Sequence, residues 1–154
     1  MKEFVYPTGT GLLEILPSGS AICVATNCCV NSKGKAIMGK GIARYVKDSF
    51  KGVDTKLGSL ISTNQTGVFF LGEYSYNGKI FYLYNFPTKY NWMDDSSYDL
   101  IIESTKKLYD LTKDQNNIDF YIPAPGCGYG NLDYRRVKAI LSDLLIGDNY
   151  IIVK

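Results

Sequence analysis

With 154 residues, 45% hydrophobic and 21% charged, the chain has the size and composition of one domain able to bury a core, which excludes disordered and fibrous classes. A net charge of +2 is too small for a sequence-independent nucleic-acid footprint, so any such role has to come from local chemistry. Histidine is absent, which excludes Ser-His-Asp and Cys-His sites and any His-liganded metal.

In chain order, residues 4–6 and 12–16 read as edge strands. Residues 21–25, 68–71, 80–86, 118–122 and 150–153 are short and rich in β-branched or aromatic side chains, the signature of largely buried strands. Between them lie helical stripes. Ile42, Ala43, Val46 and Phe50 recur at helix spacing after Gly39 to Gly41, and Tyr98, Ile101, Ile102, Leu108 and Tyr109 follow Ser96-Ser97-Tyr98-Asp99, a run similar to a capping box. Val137, Ile140, Leu141, Leu144 and Leu145 make a third stripe, with Gly147 expected as its C-cap. Strands alternating with helices predict an α/β fold with a mixed, mostly parallel sheet covered on both faces, built as a single domain over residues 1–154.

The four cysteines, Cys23, Cys28, Cys29 and Cys127, show no zinc spacing and suit reduced cytosolic thiols better than a disulfide framework. The N-terminal residues lack a signal-peptide core, and no apolar run reaches membrane-spanning length. A cytoplasmic protein with no membrane contact, no metal and no cofactor is expected.

In open α/β sheets, ligands bind where strands end and helices begin. Three segments occupy that position: 26–43, 86–92 and 123–134. In the first, Met38-Gly39-Lys40-Gly41-Ile42-Ala43 sets two glycines where a loop becomes a helix, so backbone N–H groups can face an anion; the same glycines also serve a plain turn. Thr26 and Asn27 close the preceding strand. Asn27 offers amide donor and acceptor to a ribose hydroxyl, although an Asn in that position is also an ordinary turn residue. In the third segment, Pro125-Gly126-Cys127-Gly128-Tyr129-Gly130-Asn131 has alternating glycines, which a tight connection explains less well than an anion nest. Cys127 has no histidine to make it a thiolate and reads as a space-filling residue. In the middle segment, Asn85-Phe86-Pro87-Thr88-Lys89 ends a strand on a lysine, followed by Asn91 and the single Trp92. Most lysines are solvated surface charges, but Lys89 follows a proline-fixed turn at the sheet edge shared with both glycine loops.

Val24-Ala25-Thr26-Asn27, Ala36 to Ala43, Asn85 to Lys89 with Trp92, and Pro125 to Tyr134 together resemble a macrodomain, the ADP-ribose-binding fold, in the right order over nearly the whole chain. The resemblance implies a three-layer α/β/α architecture. It lies nearest the branch of DNA ADP-ribosyl-glycohydrolase antitoxins and terminal ADP-ribose protein glycohydrolases, with ADP-ribose 1″-phosphate phosphatases as relatives. It implies that Asn27 binds the distal ribose, that Gly39 to Ile42 and Gly126 to Gly130 hold the diphosphate, and that Lys89 is the catalytic lysine, with Asn27 beside it. Thr26, Met38, Lys40, Pro125, Cys127, Gly128 and Tyr129 complete the expected ligand-binding set.

Two departures accompany the resemblance. The loop aspartate of the protein-directed enzymes corresponds to Gly130, leaving Lys89 alone or with Asp133, which is equally an N-cap. The early aspartate that holds adenine is replaced by Gly9-Thr10-Gly11-Leu12. The expected function is hydrolysis of an ADP-ribose derivative at the distal ribose: ADP-ribosyl removal from nucleic acid or protein, or dephosphorylation of ADP-ribose 1″-phosphate. A non-catalytic ADP-ribose reader is the alternative. The expected partners are ADP-ribose or an ADP-ribosylated substrate, nucleic acid included, and a monomer is expected.

Overall fold

A computed structural model describes residues 1–5 and 11–154. These residues form β1 (Lys2–Phe4), α1 (Leu12–Ile15), β2 (Ser20–Thr26), α2 (Gly41–Ser49), α3 (Val53–Asn64), β3 (Phe70–Tyr76), β4 (Lys79–Pro87), α4 (Tyr98–Thr112), β5 (Phe120–Pro123), α5 (Tyr134–Leu144) and β6 (Tyr150–Val153). The strands make one sheet in the order β1-β6-β5-β2-β4-β3, parallel except for the antiparallel β3/β4 hairpin. The hairpin turns at Asn77-Gly78, both with positive φ (48° and 79°), the conformation a two-residue turn between twisted strands requires.

The central strands alternate as a sheet covered on both faces must. Ile22 and Val24 of β2 point into a core with Leu12 and Leu13 of α1, Val46 of α2 and Val53, Leu57 and Ile61 of α3. Ala21 and Cys23 point the other way, onto Ile101 and Leu108 of α4 and Val137 and Leu141 of α5. Three helices therefore cover one face and two the other, giving the expected three layers. No helix of the described residues is long and apolar enough to cross a membrane.

Several local expectations change. Residues 12–16 are not a strand: 12–15 form α1, a single turn whose Leu12, Leu13 and the following Leu16 are all buried. Lys79 Nζ donates to the carbonyls of Leu13, Glu14 and Leu16 at the C-terminal end of this turn, satisfying acceptors that a longer helix would pair internally. The first strand is Lys2–Phe4 rather than 4–6, with Tyr6 outside the described residues. Residues 68–69 precede β3, which continues to Tyr76. Gly147 is not the C-cap of α5; Leu145 is, and Gly147 lies two residues further on with φ 134°. At α4, Ser97 caps the helix by accepting from Leu100 N–H, but the reciprocal half of a capping box is missing because that third position is a leucine.

Helix α3 was not legible as a stripe. Its Gly58 lies against the chain at 34–36: a Cβ there would meet Ala36 N and Lys35 Cα at 2.8 Å. The glycine lets a helix and a loop approach backbone to backbone, and that contact seats the first ligand loop.

Candidate ligand site

Strands β5, β2 and β4 are neighbours and run parallel, with Thr26 of β2 opposite Pro87 of β4. Their C-terminal ends therefore lie side by side, and the loops leaving them converge. A cavity of about 580 Å³ opens between these loops. Of the residues singled out from sequence, Thr26, Asn27, Met38, Gly39, Lys40, Gly41, Ile42, Lys89, Gly126, Gly128, Tyr129 and Gly130 line it. Pro125 is buried and does not line it, and Cys127 faces a second cavity instead.

Each loop is fixed by named contacts. Asn27 Nδ2 donates to Ile37 O at 2.9 Å, and its Oδ1 accepts from Cys29 N at 2.9 Å. The amide thus clasps the start and end of the first loop and keeps one N–H and one lone pair for a ligand. Helix α2 then starts at Gly41 (φ 59°) with Lys40 at the N-cap and no side-chain cap, so its first amides face the cavity through Gly41, Ile42 and Ala43.

The middle and third loops are tied to each other. Ser96 Oγ donates to Thr88 Oγ1 at 3.1 Å, Ser96 N donates to Gly130 O at 3.0 Å, and Asn131 Nδ2 donates to Asp95 at 2.7 Å. Thr88 and Ser96 are buried and line the cavity; the sequence set Thr88 in the motif ending at Lys89 and Ser96 in the capping run, and marked neither as a ligand residue. Lys89 Nζ donates to Asp94 O at 3.0 Å, folding the middle loop around the ammonium group.

The glycines fall into two kinds. Gly130 cannot carry a side chain, since a Cβ would collide with Ser96 Oγ and lie 2.8 Å from Gly126 Cα. Gly126 has φ 76°, and a Cβ there would meet Leu132 at 2.8 Å. Gly39 and Gly128, by contrast, line the cavity with nothing within 4 Å of a Cβ. Packing does not require them to be glycine.

Electrostatically the cavity is one-signed: among its described lining residues the charged side chains are Lys40 and Lys89. Lys40 Nζ lies 5.5 Å from the Tyr129 ring centroid, a cation–π contact joining the first and third loops. Thr26 Oγ1 is buried without a hydrogen-bond partner among the described residues. Asp133 does not line the cavity; it accepts from Arg135 N at 2.9 Å as the N-cap of α5, so it is not placed to assist Lys89. Burial, and secondarily Asp133, pushes the Cys127 thiol up to about 11, which keeps it protonated and argues against a nucleophile.

The second cavity, about 620 Å³, shares Gly41, Ile42, Pro123, Ala124 and Gly128 with the first and extends to Leu12, Tyr45, Tyr134 and Lys154. Of Gly9-Thr10-Gly11-Leu12, residues 9 and 10 lie outside the described residues, while Gly11 and Leu12 border this second cavity. Among the described residues no group of three or more His, Cys, Asp or Glu side chains is placed to hold a metal ion.

No protein-family model and no curated protein sequence matches the chain. Solved structures do. The macrodomain of Thermus aquaticus DarG is similar with a TM-score of 0.73 at 23% identity, over 98% of this chain and 97% of that one. The macrodomain of Mycobacterium tuberculosis DarG gives 0.71 at 23% identity, over 98% and 97%. Thermosipho africanus DarTG in complex with ADP-ribose gives 0.70 at 21% identity, over 88% of this chain and 38% of that one.

Proposed function

We propose that this chain, which has the macrodomain fold, binds ADP-ribose across its two adjoining cavities and hydrolyses an ADP-ribose derivative at the distal ribose, with Lys89 as the catalytic residue. The observation that carries the reading is the joint between the cavities. A ligand with a base at one end, a diphosphate in the middle and a ribose at the other end suits two cavities that meet at Gly41, Ile42 and Gly128. There the uncapped amides of α2, the open glycines and Lys40 surround the place for negative charge. The ADP-ribose held by the Thermosipho africanus protein supports the same ligand here. Residues 1–154 would act as one monomeric unit, and four free cysteines suit a reducing cytoplasm.

In this reading the distal ribose lies in the first cavity, between Asn27 and Lys89. The Lys89 ammonium stabilises negative charge developing on the departing group while water attacks at the distal ribose. Asn27 contributes mainly by position, since both ends of its amide already hold the loop. No carboxylate assists from position 130, because the packing around Gly130 admits none.

The test is a turnover panel with ADP-ribosyl-thymidine DNA, ADP-ribosyl-glutamate peptide and ADP-ribose 1″-phosphate. Lys89→Ala should lower turnover of the accepted substrate by at least about a hundredfold, the usual cost of losing an electrostatic stabiliser. Its ADP-ribose affinity in calorimetry should stay within a few-fold. Unchanged turnover would remove Lys89 from the mechanism. The second reading, a non-catalytic reader, is favoured by one observation, the absence of an acidic side chain among the described lining residues. Tight ADP-ribose binding by the wild type with no product from any of the three substrates would select it.

A further inference from the structure

The second cavity presents a cation without a counter-charge of its own. Among the described lining residues Lys154 is the one charged side chain, and Tyr6 to Thr10, outside the described residues, contain no carboxylate or ammonium group. The backbone of Lys154 is fixed, since its N–H donates to Phe4 O at 2.9 Å beside the paired residues Phe4 and Val153 of β1 and β6. Its ammonium lies 5.0 Å from the ring centroid of Tyr134, which lines the same cavity, so a flat ring and a cation stand together in the wall.

The carboxylates nearby are engaged or set back. Glu3 accepts from the Tyr134 hydroxyl and pairs with Lys138 at 3.1 Å, and no ion pair among the described residues includes Lys154. The Tyr134 hydroxyl, then Lys138 and least of all Lys154, hold the Glu3 carboxyl below its usual range, so two ammonium groups share one carboxylate. Glu14 flanks the cavity beside Gly11, with one carboxyl oxygen 3.5 Å from the place a Gly11 Cβ would take, but it does not line it.

We propose that the second cavity selects an adenosine whose ribose carries a phosphate monoester, the 2′-phosphorylated form of ADP-ribose, with Lys154 as the specificity-determining residue. A dinucleotide site that reads a free ribose 2′-hydroxyl does so with an acid that accepts from it, whereas a site that takes a 2′-phosphate supplies a cation. Here the lining holds the cation and, among the described residues, no acid. A phosphate monoester brings about −1.5 to −2 charges at neutral pH, which an ammonium answers as a point charge. Plain adenosine offers Lys154 no anion. This selectivity rests on the functional reading above for placing the diphosphate where the cavities meet and the adenosine beyond it.

The experiment is calorimetry on the full chain with ADP-ribose, ADP-ribose 2′-phosphate, 2′-AMP and 3′-AMP. ADP-ribose 2′-phosphate should bind about tenfold tighter than ADP-ribose at low salt, the preference shrinking as ionic strength rises. Lys154→Gln should bring the two affinities within about twofold of each other. Lys138→Gln, which removes the same charge outside the cavity, should keep the preference. Equal affinities in the wild type, tighter binding of the unphosphorylated ligand as Glu14 repels the phosphate, or a preference that survives Lys154→Gln would overturn the assignment. Tighter binding of 3′-AMP than of 2′-AMP would do the same. If ADP-ribose does not bind while 2′-AMP binds in a Lys154-dependent way, the functional reading falls and the selectivity stands; binding of none of the four overturns both.

Discussion

Gly128 and Gly130 are two residues apart and occupy the same loop, yet the structure separates their reasons for being glycine. At Gly130 a methyl group meets Ser96 and Gly126, so Gly130→Ala should destabilise the chain by roughly 1–3 kcal/mol, as overpacking does. At Gly128 a methyl group meets nothing and φ is not positive, so Gly128→Ala should leave stability unchanged or raise it by about 0.4–1 kcal/mol through the unfolded chain. Its effect should fall on the ligand, with ADP-ribose affinity reduced about tenfold. Urea unfolding and calorimetry on the two variants separate the cases; a stable Gly128→Ala protein with undiminished affinity would remove that glycine from the diphosphate site. The glycine spacing was visible in the sequence, but this distinction was not, because it depends on Ser96, thirty-odd positions upstream. Lys89 was legible from its place just past an apolar strand run, although Pro87, expected in a turn, is the last residue of β4, paired with Thr26.

At the scale of elements, caps explain where two helices start. Ser97 begins α4 and Asp133 begins α5, each accepting a hydrogen bond from a first-turn amide. Ser97→Ala and Asp133→Ala should each cost about 1 kcal/mol of unfolding free energy. Their combined effect should be additive within about 0.5 kcal/mol if the two helices respond independently. Chemical denaturation of the single and double variants tests this, and a strongly non-additive double variant would show the two starts to be coupled through the Asp133 N to Tyr98 hydroxyl hydrogen bond. The stripes of α2, α4 and α5 were legible because their apolar positions recur without interruption. The stripe of α3, with Val53, Leu57 and Ile61, is broken by Gly58 and flanked by Gly52, so its burial depends on a contact that periodicity does not encode. Residues 12–16 misled for the opposite reason, since one helical turn is too short to show a period of 3.6.

For the molecule as a whole, alternation of strands and helices was enough to foresee a mostly parallel, doubly covered sheet. The strand order was not readable, because β2 pairs with β4 and β5, each far away in sequence. The antiparallel hairpin has its own sign in the sequence, the Asn77-Gly78 dipeptide between two strand-forming runs. The burial of thiols also sets the pH response. Burial raises the Cys23, Cys28 and Cys127 thiols, Cys127 from 9.0 to about 11. The unfolded chain therefore releases these protons before the folded one does. Stability contributed by the protonated thiols is complete below pH 9 and should be lost as pH rises toward 11. Thermal unfolding between pH 7 and 11 should show the melting temperature falling above pH 9, and Cys127→Ala should lessen the fall. A flat profile would contradict the burial of these groups.

The closure around Gly130 has a historical side. A carboxylate there would require Ser96 to be vacated and the backbone at Gly126 to shift, because both occupy the space a side chain would take. The Ser96 hydroxyl also donates to Thr88 Oγ1, so vacating it loosens the loop that carries Lys89. No single substitution therefore adds an acid at this position without passing through a weakened intermediate. The order in which changes could accumulate is restricted, and this packing keeps an acidic side chain out of position 130.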